Sequence, residues 1–178
     1  FDAMRQGGIL LAATGAAITT AGVAMASFLK GSTDAAAEYS RQSALTLTQA
    51  QRAGASLEDI KRIGLDVAKD IPVAFEGIQG ALYDIFSTVD TSVPQAEMLL
   101  RSFATAAVAG QADIQDVSRL TMGVLNAYKM PLEDVNKVLD TQFRLVELGS
   151  GTYQAFVTTL GRNIPTAVAA GQSFETLS

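Results

Sequence analysis

No cysteine, histidine or tryptophan occurs in these 178 residues. Without cysteine there are no disulfides, thiolate nucleophiles or zinc–cysteine sites. Without histidine the segment also lacks the commonest general base, most nucleophilic triads and nearly all transition-metal sites. Aromatic residues make up only 7% of the chain, so a core has to be assembled from small and aliphatic side chains. That favours helices packed closely on helices over a thick sandwich. Basic residues are outnumbered by acidic ones, 13 against 18, for a net charge of −5. Lys61 and Arg62 are the one adjacent basic pair, and Glu58, Asp59 and Asp66 surround them, so there is no clustered footprint for specific nucleic-acid binding.

Charge is also missing locally, because nothing between Arg5 and Lys30 is ionisable. Inside that stretch Met4, Gly8, Leu11, Gly15, Ile18, Gly22, Met25 and Leu29 follow steps of four and three, which places them on one stripe of a helix. Glycine alternates with a large apolar residue along the stripe. A glycine inside a helix costs about 1 kcal/mol relative to alanine, so three on one seam point to backbone-close contact with a partner helix. We read these eight residues as a self-association seam between parallel copies. The segment from Gly8 to Leu29 is also long enough to cross a bilayer at about 1.5 Å per residue. Thr14, Thr19, Thr20, Ser27 and the many alanines dilute it, and no Trp or Tyr marks its edges. A helix that enters a membrane at some stage stays open beside the coiled coil.

The register continues through Ser32, Ala36, Tyr39, Ser43, Thr46, Ala50 and Ala53, which are small or polar, and Gly54 marks a boundary. Residues 1–53 are therefore expected to form a long apolar Gly/Ala-rich helical segment and residues 54–178 a helical core domain, the whole a piece of a longer chain. From Gly54 the pattern changes to short amphipathic helices with start signals. Ser56 with Asp59 and Ser92 with Gln95 predict capping boxes. Asp113, Thr152 and Ser173 predict caps, and Pro131 starts a helix carrying Glu133 and Asp134. Three apolar stripes belong to these helices: Leu57, Ile60, Ile63, Val67 and Ile71; Ile114, Val117, Thr121, Val124 and Tyr128; Leu132, Val135, Leu139, Phe143 and Val146. No segment has the period-two alternation of a strand. The fold class expected is all-α, a long N-terminal coiled-coil or membrane-like helix followed by a compact bundle.

Paired carboxylates are the remaining candidates for chemistry. Glu58 with Asp59 and Glu133 with Asp134 sit in first turns, where the helix dipole favours them. Asp66 and Asp70 lie beside Arg62 and Lys69, as an ion-paired face would. Gly149-Ser150-Gly151 lacks the residues of a phosphate cradle and reads as an inter-helix turn. No enzyme activity, cofactor or metal is expected from this segment.

The run Ala107-Val108-Ala109-Gly110, Val124-Leu125-Asn126-Ala127-Tyr128 and Pro131-Leu132-Glu133-Asp134-Val135 resembles the core region of phage tail tape measure proteins. The likeness continues through Gly149-Ser150-Gly151-Thr152-Tyr153, Leu160-Gly161-Arg162, Pro165, Ala169-Ala170-Gly171 and Ser173-Phe174-Glu175, covering roughly residues 57–177. Gly77, Gly80 and Asp90-Thr91-Ser92 depart from it, standing where more alanine-rich helix is expected. The resemblance implies a structural virion protein, a tape measure that sets tail length during assembly and takes part in DNA ejection through the host envelope. It implies several parallel copies, a homotrimer by family precedent. The partners it implies are the tail tube, tail tip or baseplate proteins, a tail assembly chaperone and, on ejection, the host membrane. It places the protein in the virion, in the tail lumen and tip. The alternative from the residues alone is a membrane-active helical translocator or pore-forming protein.

Overall fold

The first turn of a helix leaves backbone N–H groups without partners, and short polar side chains that accept them decide where helices begin. The computed structural model describes residues 33–149 and 151–160. Among these, seven α-helices and two 3-10 turns account for the regular structure, with no strand. Helix α1 is Thr33–Ala50 and runs into a 3-10 turn, Gln51–Ala53. Gly54 then takes φ +68°, a left-handed conformation that glycine adopts without steric penalty, and turns the chain back.

Helix α2, Leu57–Asp70, opens with a reciprocal box. The Asp59 N–H donates to the Ser56 hydroxyl at 3.1 Å, and the Ser56 N–H donates to the Asp59 carboxylate at 3.0 Å. Helix α3 is Phe75–Thr88. Helix α4, Val93–Gly110, repeats the box with Ser92 and Gln95 and holds Pro94 in its first turn, where no N–H is needed. Helix α5, Ile114–Ala127, is capped by Asp113, which accepts from the N–H groups of Gln115 and Asp116. A 3-10 turn, Leu132–Asp134, follows Pro131 and leads into α6, Val135–Leu148. Helix α7, Tyr153–Leu160, starts after Thr152, whose hydroxyl accepts from the Ala155 N–H at 3.2 Å. The predicted starts near 56, 92, 113, 131 and 152 all fall at helix or 3-10 beginnings. The cap at Ser173 lies outside the described residues.

Helices α3 and α5 form the centre. Helix α1 packs on α3 and α2, α4 lies against α3 and α5, and α6 and α7 close over α5. Ile60, Ile63, Val67, Ile78, Leu82, Ile85, Leu99, Leu100, Phe103, Val117 and Val124 are completely buried. Each aliphatic side chain removed from water in this way contributes about 1.5–3 kcal/mol. The inner members of the three predicted stripes, Ile60–Val67, Ile114–Val124 and Val135–Leu139, are buried, while Leu57, Ile71, Tyr128, Phe143 and Val146 are half-buried at the stripe ends. Gly77 and Gly80, which break the alanine-rich pattern, lie on the face of α3 that meets α5. A methyl at Gly77 would come within 2.6 Å of the Ile114 side chain, and one at Gly80 would overlap Gln115. These glycines let the two central helices approach closely. Among the described residues, no helix is long and apolar enough to cross a membrane.

Candidate functional site

The seam residues Met4, Gly8, Leu11, Gly15, Ile18, Gly22, Met25 and Leu29 lie outside the described residues. Their register does reach into α1, where Tyr39, Ser43, Thr46 and Ala50 occur at the same spacing. All four are buried, at 8%, 0%, 1% and 0% exposure, on the helix that packs against α2 and α3. The Tyr39 hydroxyl donates to the backbone carbonyl of Lys61, and its ring sits 5.0 Å from that of Phe75, tilted by 51°. Burial pushes this hydroxyl up to about 12. Thr46 turns its hydroxyl back to the Gln42 carbonyl, at 3.1 Å, and so needs no partner across the interface.

Opposite α1 lies a group that the sequence pattern did not single out. The Gln79 side chain is 2% exposed, and its amide nitrogen stands against Gly64, where a methyl would overlap it. Neither its nitrogen nor its oxygen has a hydrogen-bond partner. A second buried amide is fully satisfied: Gln142 donates to the Thr121 hydroxyl at 3.1 Å and accepts from the Tyr153 hydroxyl at 2.7 Å. Polar residues inside an apolar stripe are the only sequence signal for either.

The carboxylate pairs resolve into structural roles. Hydrogen bonds from the Ser56 side chain and backbone hold the Asp59 carboxyl below its ordinary range. Asp66 meets Lys69 at 3.0 Å and Asp70 meets Arg101 at 2.8 Å, so each is matched to a cation. Arg62–Glu97 at 3.2 Å and Arg101–Asp70 tie α2 to α4, and Arg119–Asp84 at 3.1 Å ties α5 to α3. Burial raises the Asp84 carboxyl, with Arg119 opposing the shift. Glu133 accepts from the Gln95 side chain at 3.3 Å. Among the described residues, no group of three or more acidic side chains is placed to hold a metal ion.

The C-terminal end of the bundle carries an apolar groove of about 270 Å³, lined by Leu145, Val146, Ala155, Phe156 and Leu160. Leu148 beside it is 82% exposed. The arrangement as a whole offers packing surfaces and ion-paired faces rather than convergent reactive groups.

A family model described as phage-related minor tail protein matches residues 64–178, from the middle of α2 onward. The chain belongs to the phage-related minor tail protein family. It therefore has a structural role in a phage tail and is virion-associated. A probable tape measure protein of Clostridium phage phiCD119 is 27% identical over 150 residues, 83% of this chain. That stretch is 16% of the relative, so the chain spans about a sixth of the length of the curated tape measure protein it matches. No solved structure matches. The matched minor tail segment takes in α3–α7 and leaves α1 outside it, although α1 packs on that segment.

Proposed function

We propose that this chain is a segment of a tape measure protein that sets tail length during assembly. The observation that carries the reading is the combination of kinship to a probable tape measure protein with the uncharged seam from Met4 to Leu29. A helical rod rises about 1.5 Å per residue, so its length can template a fixed number of tube subunits. Parallel copies, three by family precedent, meet along the glycine positions of residues 1–53. The helical domain from residue 54 onward folds back on itself, which shortens a rod, and so serves as an anchor to tail tip or baseplate proteins. In the tail lumen the protein contacts the tube, and before that a tail assembly chaperone keeps its apolar stretch from aggregating. During DNA ejection it leaves ahead of the genome and its uncharged helices meet the host envelope. Removing the gene tests the reading: tails are then absent or of scattered length, and complementation restores one length. Tails of unchanged, uniform length in the deletion would contradict it.

The uncharged run itself favours a second reading, a membrane-active translocator. Such a protein would release dye from liposomes on its own, whereas a tape measure remains inert to lipid until ejection.

A further inference from the structure

The stripe of the seam continues in step from Leu29 through Ser32, Ala36, Tyr39, Ser43, Thr46 and Ala50. In α1 the part of that stripe from Tyr39 to Ala50 is buried against the chain's own α2 and α3. One face of one helix thus has two candidate partners. Its register offers it to a second copy, and its packing commits it to the bundle.

The bundle side of this contact is imperfectly matched. Gln79 brings to it a buried amide with neither nitrogen nor oxygen partnered, placed against Gly64 near the Tyr39 hydroxyl. Such an amide carries its full desolvation cost for as long as α1 stays docked, and regains water when α1 leaves. The α1 side is small at Ser43, Thr46 and Ala50, which lets another helix approach as closely as α2 and α3 do. The chain leaves α1 through Gly54 in a left-handed turn, a point about which the helix can re-orient. Copies already joined upstream hold their α1 helices at high effective concentration, so pairing there needs little intrinsic affinity.

We propose that the Tyr39, Ser43, Thr46 and Ala50 face of α1 is a second self-association surface. It is docked on α2 and α3 in the isolated chain and paired with the same face of another copy once the upstream seam has assembled. This rests on the reading of residues 4–29 as that seam. Transfer of α1 adds the 18 residues Thr33–Ala50 to the rod, about 27 Å at the rise of an α-helix.

The chain contains no cysteine, so single thiols report cleanly. Gly15→Cys and Ser43→Cys, introduced separately into the intact protein and oxidised in purified oligomers and in assembled tails, should both give crosslinks between copies. Adding Gln79→Met, which replaces the unpartnered amide by a thioether of similar shape, should lower the Ser43→Cys crosslink several-fold and leave that of Gly15→Cys unchanged. Crosslinking at Gly15→Cys with Ser43→Cys inert and closed to thiol reagents overturns the second surface and leaves the seam standing. Absence of crosslinks at Gly15→Cys overturns the seam, and the proposal built on it, whatever Ser43→Cys does.

Discussion

Tyr153 donates its hydroxyl to the Gln142 side-chain oxygen across 2.7 Å, joining α7 to α6 through a bond buried on both sides. The amide of Gln142 passes the connection on to Thr121 of α5, so three helices share one polar chain. Removing the hydroxyl in Tyr153→Phe leaves an amide oxygen buried without its donor. A loss of about 1–2 kcal/mol is expected, read as a lower urea midpoint with unchanged slope. A midpoint equal to that of the parent would show that the network contributes nothing net.

The buried tyrosines also set an alkaline limit. Burial is the main cause that lifts the Tyr39 hydroxyl to about 12, and it raises Tyr153 as well. The folded state then holds these protons more tightly than the unfolded chain, where tyrosine titrates near 10. Their contribution is complete below about pH 10 and is lost as pH rises towards about 12. Urea midpoints followed upward from about pH 9 should fall more steeply for the parent than for Tyr39→Phe. Parallel curves would contradict the assignment.

Two glycines in helices should respond oppositely to alanine. At Gly123 in α5 a methyl meets nothing within 4 Å, so Gly123→Ala gains helix propensity and stabilises by about 0.5–1 kcal/mol. At Gly110 a methyl would overlap the Tyr153 ring, itself stacked on Phe143 at 4.3 Å. The forced repacking outweighs the propensity gain, and Gly110→Ala is expected to lose about 1–3 kcal/mol. Thermal midpoints of the two variants should lie on either side of the parent's.

Gln79→Met is expected to raise stability by about 1 kcal/mol, because it removes an amide that nothing satisfies while keeping an unbranched side chain of similar length. Chemical denaturation of the purified chain measures this. A loss would mean that the amide contributes to the fold.

The helix starts were legible because caps are local: Ser56 with Asp59, and Ser92 with Gln95, are read within one turn and realised within one turn. The buried stripes were legible for the same reason, since each depends on the period of a single helix. The partner of a stripe is not local. Tyr39, Ser43, Thr46 and Ala50 advertise a covered face, but periodicity does not say whether the cover is this chain or another. Gly77 and Gly80 looked like departures from an alanine-rich pattern because their reason, the approach of Ile114 and Gln115, lies more than thirty residues downstream. Gln79 gave no signal, since a glutamine between apolar residues looks the same whether it faces water or the core.

Tail length under a changed seam tests the central claim most directly. Inserting eight heptads in register after Leu29 should lengthen tails by about 84 Å at 1.5 Å per residue, measured by negative-stain microscopy against the parent. Tails longer by that increment are the result predicted for a ruler that includes this segment. Intact tails of the parental length would contradict it and take residues 4–29 out of the shaft.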